Sequence, residues 1–228
     1  MSQLSAGAVI VAAGTSTRMR GTDKLWADVA GEPLIARTLH TFQSCTDIGG
    51  IAVVTSRDGL APVTRLIRRA GIDKVSAVCE GGSSRQESVL NGLVKLGECE
   101  LVAVHDCARP LVTQTLIQHG LEVARARGAA LCAVPAKNTI KVVEAGRVID
   151  TPRREQLWEA QTPQVFRYRE LLRAHVAAAQ AGRIFTDDAS LMEAAGHAVW
   201  VYEGSYRNLK VTTPEDLLVV QALWEAEK

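Results

Sequence analysis

The sequence has no excess of charge of either sign, no long apolar run and no paired cysteines. Its 26 Lys and Arg residues are balanced by 25 Asp and Glu residues, which leaves a net charge of +1. Such a chain lacks the general basic field that attracts nucleic acid, so any anion must be bound by local clusters of cations. No apolar stretch approaches the roughly 20 residues that a membrane-spanning helix needs. We therefore expect neither a nucleic acid polymer nor a membrane among the partners.

The five cysteines are odd in number, and none belongs to a CxxC pair. This spacing disfavours a disulfide framework or a structural zinc site and predicts buried, reduced thiols. The N-terminal stretch also lacks the basic and apolar regions of a secretory signal. Together these features predict a cytoplasmic protein.

Several common site motifs are missing as well. Gly14 follows the first apolar run, but the later glycines of a G-x-G-x-x-G dinucleotide fingerprint are absent, and so is the G-K-[ST] ending of a phosphate-binding P-loop. The chain has no G-x-S-x-G elbow and no H-E-x-x-H helix. Its five histidines are scattered, and three lie in helical patterns where packing or surface roles are commoner than catalysis.

Short apolar runs alternate with amphipathic segments over the first 135 residues. The runs are AVIVAA (8–13), IAVVTS (51–56), VSAVCE (75–80), LVAVHD (101–106) and ALCAVP (130–135). Strands that are apolar on both faces and separated by helices predict a parallel sheet that is covered on both sides. We therefore expect an α/β protein, a three-layer α/β/α sandwich with a mainly parallel, Rossmann-like sheet, as one domain over residues 1–228.

The alternation breaks between about residues 136 and 160. The segments TIKVVE and RVIDT flank Gly146, which predicts a β-hairpin. Its apolar faces would be covered better by a second subunit than by solvent, so we expect a protruding β-arm used for homodimerisation. Further on, the pattern predicts more helices, the strand AVWVYEG and a final helix that begins with Thr213 as N-cap and Pro214 in its first turn.

Small residues and cations follow three of the predicted strands. The first loop is AAGTSTRMRGTDK (12–24), the third strand leads into EGGSSRQES with Arg85 and Ser88, and the fourth ends in HDCARP with Asp106 and Arg109. Carboxyl ends of parallel strands share one edge of a sheet, where ligands bind. Taken singly, each cation could be a solvated surface charge, and Asp106 could cap its own loop. Their joint placement predicts a triphosphate site made of backbone N–H groups and cations.

The motifs AAG…RM…K, GGSSRQESVLNGL, VHDCARPLV, PAKNTIK, LWEAQTPQVF, TDDASLMEAAG and NLKVTTPEDL carry a family resemblance that covers nearly the whole chain. The first loop resembles that of the GT-A-like nucleotidyltransferases. The later motifs are more specific and resemble the 2-C-methyl-D-erythritol 4-phosphate cytidylyltransferases. The resemblance implies a GT-A-type fold and a reaction of CTP with methylerythritol 4-phosphate, which yields the CDP-alcohol and pyrophosphate with Mg²⁺ in non-mevalonate isoprenoid biosynthesis.

The resemblance also implies roles for individual residues. Arg18 and Lys24 correspond to the pair that stabilises charge at the α-phosphate, and Asp106 lies near the ribose, the acceptor and a metal held mostly by the CTP phosphates. The nucleotide-holding positions are Ala12, Ala13, Gly14, Gly82 and Ser88.

Thr139, Arg154 and Lys210 match the residues that position the acceptor phosphate. In the family the arm with the first two enters the neighbouring subunit's site, which implies a homodimer. The chain departs from the family at Ser16, where glycine is common, and around Lys24, where Asp23 and Leu25 replace the Pro and Gln of a common Pro-Lys-Gln.

The expected nucleophile is a phosphate oxygen that is ionised at neutral pH, so the reaction needs no general base, in keeping with the scattered histidines. Three alternatives remain. A ribitol 5-phosphate cytidylyltransferase would keep the chemistry and change the acceptor. A nucleotide-binding regulatory module would have no need of acceptor clamps. A dinucleotide-dependent oxidoreductase is disfavoured by the missing glycine fingerprint.

Overall fold

The computed structural model describes residues 4–14 and 24–226. The strands are β1 (Leu4–Ala12), β2 (Asp28–Val29), β3 (Glu32–Pro33), β4 (Gly50–Thr55), β5 (Val75–Glu80), β6 (Cys99–Asp106), β7 (Ala129–Pro135), β8 (Val142–Glu144), β9 (Arg147–Asp150), β10 (Trp158–Arg167) and β11 (Trp200–Glu203). The helices are α1 (Leu34–Ser44), α2 (Leu60–Ala70), α3 (Arg85–Leu96), α4 (Gln114–Arg127), α5 (Tyr168–Gln180), α6 (Asp188–Ala194) and α7 (Pro214–Glu225).

Seven strands form the central sheet in the order β11-β7-β10-β6-β1-β4-β5. The pairs β1–β4, β1–β6, β4–β5 and β7–β11 are parallel, and β10 runs antiparallel to both β6 and β7. The carboxyl ends of β1, β4, β5 and β6 therefore meet at one edge, with Val11 opposite Asp106. This confirms the predicted mainly parallel sheet.

Helices cover both faces of the sheet, each over its own hydrophobic core. One core holds apolar side chains of α1, α2, α4 and α7, and the other holds those of α3, α5 and α6. Strand residues alternate between them, so that Ala8 and Ile10 enter the first core and Val9 the second. This arrangement confirms the three-layer sandwich.

The tight contact of α3 with the sheet depends on a glycine. A Cβ atom at Gly92 would lie 2.5 Å from Val9 Cγ1 and 2.7 Å from Val54 Cγ2. Side-chain caps fix where helices begin, since Ser84 Oγ accepts from Glu87 N–H at 3.1 Å and Thr113 Oγ1 from Leu116 N–H at 3.2 Å. The first turn of α3, which faces the sheet edge, is therefore held both by packing and by its cap.

The hairpin of β8 and β9 has its turn at Ala145 and Gly146, whose φ angles are 48° and 81°. Two positive φ angles in succession make a hairpin turn of the primed kind, for which glycine is well suited. Every residue from 137 to 151 is exposed. The hairpin is shorter than the segment 136–160 suggested, because the chain from Trp158 already pairs with β7 as the start of β10.

The five cysteines are buried and form no disulfide bonds. Within residues 4–14 and 24–226, none of the helices has both the length and the apolar character needed to cross a membrane.

Candidate active site

A cavity of about 370 Å³ opens at the edge where β1 and β6 end and α3 begins. Its walls come from five stretches of chain, which lie within residues 11–14, 24–25, 82–88, 106–108 and 210–212. These stretches include three of the segments that the sequence predicted to follow strands. The cavity is therefore the predicted ligand edge of the sheet.

Small residues let two loops approach each other on one side of this cavity. A Cβ atom at Gly81 would lie 2.5 Å from Ala13 Cβ, closer than two carbon atoms can come. Gly82 N–H donates to Ser88 Oγ at 3.1 Å, and that hydroxyl donates in turn to Ser84 O at 2.8 Å. The backbone around the start of α3 is thus fixed with the helix N-terminus at the cavity, which favours an anionic ligand.

Lys24 enters the cavity from a short 3₁₀ turn, Lys24–Trp26. Its Nζ donates to the carbonyl oxygen of Val211 at 3.3 Å. The neighbours of Val211 in the sequence, Lys210 and Thr212, also line the cavity. The segment before α7 therefore supplies Lys210 to the cavity and also holds Lys24 there through the carbonyl of Val211.

Asp106, at the end of β6, is a carboxylate that pairs with two cations of the site. Its Oδ1 accepts from Arg85 Nε at 3.1 Å, and its Oδ2 accepts from Lys210 Nζ at 2.7 Å. Burial opposes ionisation of this carboxyl group, but the charges of Arg85 and Lys210 outweigh it and lower the pKa of Asp106 well below its usual range. Asp106 is therefore an anion shared by two cations.

Buried polar groups hold the backbone of Asp106 in place. Its N–H donates to Thr162 Oγ1 at 3.0 Å, and this oxygen lies 3.0 Å from His105 Nδ1. Burial lowers the pKa of His105 to about 3, so the imidazole is neutral at physiological pH. The geometry fits Nδ1 accepting the Thr162 proton while Nε2 donates to Arg109 O at 3.3 Å. His105 is thus a structural support and not a reacting base.

A second cavity of about 270 Å³ adjoins the first. Arg85, Asp106 and Lys210 line both cavities, so these three side chains form the boundary between them. The second cavity is also lined by Arg109, Thr162, Gln164, Thr186 and Asp187.

Arg109 supplies an incompletely satisfied cation to the second cavity. Its NH1 donates to Asn208 O at 2.7 Å and its NH2 to Ala160 O at 3.4 Å. Its Nε is buried and has no acceptor within the part of the chain that the structure describes. Both cavities are therefore built from cations and hydroxyls, one behind small-residue loops and the other against β10.

The structure brings most of the predicted site residues together. Those that line the first cavity are Ala12, Ala13, Gly14, Lys24, Gly82, Ser88, Asp106 and Lys210. Thr139 and Arg154 are exposed and line neither cavity, and Arg154 NH1 donates to Lys137 O at 3.3 Å. The predicted roles of Arg18, Ser16 and Asp23 fall on residues outside the described ranges.

Sequence reasoning placed Arg85 at the ligand edge, where it lines both cavities, and missed Thr162 and Thr186, which line the second cavity. Sequence patterns did not reveal that the guanidinium of Arg85 is engaged by two carboxylates, Asp106 and Asp188, at 3.1 and 2.8 Å. Both threonines belong to motifs of the family resemblance, but the pattern of predicted strands did not place them at the edge of the sheet. Only β10, an antiparallel strand without an apolar run, brings Thr162 there.

The site has too few carboxylates to hold Mg²⁺ by itself, so it fits an ion whose other ligands come mainly from a substrate. Among the described residues there is no group of three or more His, Cys, Asp or Glu side chains that could hold a metal. Asp106 is the only carboxylate among the described residues that line the first cavity. One carboxylate together with phosphate oxygens and water is a common Mg²⁺ environment, so Asp106 fits as a single protein ligand.

Comparison with known proteins identifies the family of this chain. Residues 6–226 match the family model described as 2-C-methyl-D-erythritol 4-phosphate cytidylyltransferase. A relative of that name from Desulforamulus reducens is 46% identical over 220 residues, which cover 94% of each chain. One from Clostridium novyi is 42% identical over 221 residues, covering 96% of each chain.

Solved structures agree as well. The 2-C-methyl-D-erythritol 4-phosphate cytidylyltransferase of Thermus thermophilus superposes with a TM-score of 0.80 at 31% identity, over 95% of this chain and 98% of that one. The 4-diphosphocytidyl-2C-methyl-D-erythritol synthase of Anaerococcus prevotii gives a TM-score of 0.85 at 27% identity, over 96% of each chain. With its sheet, its cavities and these relatives in agreement, the chain belongs to the 2-C-methyl-D-erythritol 4-phosphate cytidylyltransferase family.

Proposed function

We propose that this chain transfers a cytidylyl group from CTP to 2-C-methyl-D-erythritol 4-phosphate. An oxygen of the acceptor phosphate attacks the α-phosphorus of CTP, the bond between that phosphorus and the bridging oxygen to the β-phosphate breaks, and pyrophosphate leaves. The products are 4-diphosphocytidyl-2-C-methyl-D-erythritol and pyrophosphate.

The observation that carries this proposal is the boundary of Arg85, Asp106 and Lys210 between two adjoining cavities. A transferase of this kind must hold two phosphorylated substrates with their reacting phosphates next to each other. The first cavity suits the nucleotide, because it has small-residue loops and a helix N-terminus. The second suits a polyol, because Arg109, Thr162 and Thr186 offer hydrogen-bonding groups.

Lys210 is well placed to serve both substrates. Its Nζ is held by Asp106 at 2.7 Å, yet its side chain remains 38% exposed at the boundary between the cavities. A cation that is fixed on one side and open on the other can hold the acceptor phosphate near the α-phosphate of the nucleotide. We propose this role for Lys210.

We assign to Lys24 and Arg18 the stabilisation of the negative charge that develops at the α-phosphate. Lys24 lines the nucleotide cavity, and Arg18 precedes it by six positions in the sequence. Cations fixed before the reaction stabilise a transition state without reorganisation. Mg²⁺ would neutralise the triphosphate when it is bound, with Asp106 as a protein ligand. No side chain needs to act as a base, since the acceptor phosphate is already ionised.

We further propose a homodimer in which the arm completes the neighbouring site with Thr139 and Arg154 of the partner subunit. Apolar side chains on the arm support this proposal, since Val143 and Val148 are 55% and 53% exposed in the single chain. The proposed compartment is the cytoplasm, where CTP is available and the five free thiols stay reduced.

Pyrophosphate release tests the function directly. CTP, UTP and ATP are each incubated with methylerythritol 4-phosphate or ribitol 5-phosphate and Mg²⁺, with EDTA as the control. We expect rapid release from CTP with methylerythritol 4-phosphate only. Preference for ribitol 5-phosphate would reassign the acceptor, and no release with any pair would contradict a transferase.

A further inference from the structure

A row of alternating charges runs from the buried helical layer to the boundary between the cavities. Lys210 contacts Asp106, Asp106 contacts Arg85, and Arg85 contacts Asp188 at N–O distances of 2.7, 3.1 and 2.8 Å. The row ends at His175 in α5, whose Nε2 lies 3.0 Å from Asp188 Oδ1. The first three side chains line both cavities, whereas Asp188 and His175 are each only 1% exposed and line neither.

The fold fixes the position of Asp188 independently of any ligand. Asp188 is the first residue of α6, directly after Asp187, which forms a capping box with Ser190. His175 Nε2 lies 3.0 Å from Asp188 Oδ1 and donates to it, because an ionised carboxylate can only accept. Asp188 therefore presents its second oxygen, Oδ2, to Arg85 from a rigid support.

Arg85 is held by two anions at once, with Nε on Asp106 and NH1 on Asp188. Burial opposes the ionisation of Asp188, but Arg85 and His175 outweigh it and lower its pKa. Both carboxylates are thus charged at neutral pH. A guanidinium held through two different nitrogens has a fixed plane and direction, which a single contact would not give it.

We propose that Asp188 is a positioning residue for the acceptor phosphate, acting through Arg85 and Asp106 on Lys210. While Asp188 holds Arg85, the charge of Asp106 is shared between Arg85 and Lys210, so Lys210 keeps attraction for a phosphate. Without Asp188, Arg85 turns into the cavities and Asp106 pairs with Lys210 alone. This inference rests on the proposed function, because it takes Lys210 as the residue that holds the acceptor.

Asp188→Asn tests the link, since the amide keeps the shape of the side chain and removes its charge. Loss of one charge-assisted hydrogen bond in the row is expected to raise the KM for methylerythritol 4-phosphate about tenfold. The KM for CTP should stay constant or fall, because the released guanidinium adds positive charge to the nucleotide cavity. A purely structural defect would instead lower the amount of active enzyme and leave both KM values unchanged.

Ser190→Ala is the matched control. Ser190 belongs to the capping box of α6, and its side-chain hydrogen bonds are made with the backbone of Asp187, which is not a member of the charge row. This variant should lower Tm through the weaker cap and leave both KM values at the wild-type level. A raised acceptor KM in Ser190→Ala would show that any loosening of α6 has the effect, and it would overturn the proposal.

A double-mutant cycle with Arg85→Met tests whether Asp188 changes the acceptor KM through Arg85. If Asp188 acts through Arg85, Asp188→Asn should not change the acceptor KM any further in the Arg85→Met background. Removing both charges together also avoids leaving one of them buried without a partner. The same rise in acceptor KM with and without Arg85 would overturn the proposal.

If Asp188→Asn does not yield folded protein, the cycle is run with Asp188→Glu. This variant keeps a buried anion for Arg85, and its extra methylene displaces the guanidinium towards the cavities. We expect the same selective rise in acceptor KM and its disappearance with Arg85→Met. Unchanged constants, or equal rises for both substrates, would overturn the inference. A wild-type protein without turnover would contradict the proposed function instead, so the two failures are distinguishable.

Discussion

Lys24 and Lys210 reach the same cavity from opposite ends of the chain, and their surroundings suit different tasks. Lys210 is anchored to the carboxylate of Asp106, whereas Lys24 donates to the carbonyl of Val211. Lys24 lines the first cavity, whereas Lys210 lines both cavities. We therefore assign transition-state stabilisation to Lys24 and acceptor binding to Lys210.

Lys24→Ala is expected to lower kcat by roughly 10²- to 10³-fold, because a fixed donor to the developing charge is lost. We expect the same of Arg18→Ala. Pyrophosphate release measures turnover, and circular dichroism verifies the fold. Lys95→Ala, an exposed lysine on α3, is the control and should keep wild-type kcat. Near-normal turnover in both Lys24→Ala and Arg18→Ala would contradict the assignment.

His105 should make stability depend on pH. Burial lowers its pKa to about 3 in the folded chain, whereas an unfolded histidine titrates near about 6.5. Because the unfolded state binds the proton first, the stability that neutral His105 contributes is complete above about pH 6.5 and is lost as pH falls towards 3.

Urea unfolding between pH 8 and 5 measures this effect. Below about pH 6.5, the unfolding free energy should fall with a slope that approaches about 1.4 kcal/mol per pH unit from this one group. His105→Asn should be less stable but show a slope smaller by that amount. Identical slopes in the two proteins would mean that His105 is not held neutral by the fold.

At the level of elements, α3 carries Arg85 and Ser88 to the cavity, so its distance from the sheet matters for both stability and binding. The absent side chain at Gly92 permits contact with Val9 and Val54. The N-cap at Ser84 then sets where the helix starts relative to β5. The contact at Gly92 therefore sets the distance of α3 from the sheet, and the N-cap fixes the end of the helix that lies at the cavity.

Gly92→Ala should destabilise the fold by about 1–3 kcal/mol, because overpacking against two valines outweighs the gain of about 1 kcal/mol in helix propensity. Val94→Ala on the exposed side of the same helix is the control, with an effect within about 0.5 kcal/mol. Thermal unfolding of both variants measures the difference. A Gly92→Ala protein more stable than wild type would show that α3 has room to move.

At the scale of the whole molecule, the arm exposes apolar side chains such as Val143 and Val148. A site shared between subunits makes a test possible that no single chain allows. Arg154 lies on the arm, and Lys210 lies at the cavities. In the proposed dimer each active site would use Lys210 of one subunit and Arg154 of the other.

Mixing Arg154→Ala and Lys210→Ala proteins should therefore restore activity. After random subunit exchange half of the dimers are mixed, and one of the two sites in each is intact, so about a quarter of wild-type activity returns. Pyrophosphate release at an acceptor concentration well below the KM of either variant measures the recovery. Activity of the mixture equal to the mean of the two variants would show that both residues serve the same chain's site.

The amino-acid sequence alone determined the layers of this protein and the edge at which it binds ligands. Strands such as GIAVVT in β4 are apolar on both faces, and such a strand has no stable place except inside a covered parallel sheet. The residues after those strands then share one edge by geometry. This is why Gly14, Gly82 and Asp106 could be predicted to lie together.

Tertiary structure alone decided which charges pair and how the second cavity forms. Arg85 and Asp188 are 103 residues apart, and local patterns carry no information on such a contact. The strand β10 places Thr162 behind Asp106 although Gln161, Thr162 and Gln164 interrupt its apolar character. Polar residues can be buried there because their partners come from β6, α6 and the segment before α7, and only the folded chain supplies those partners.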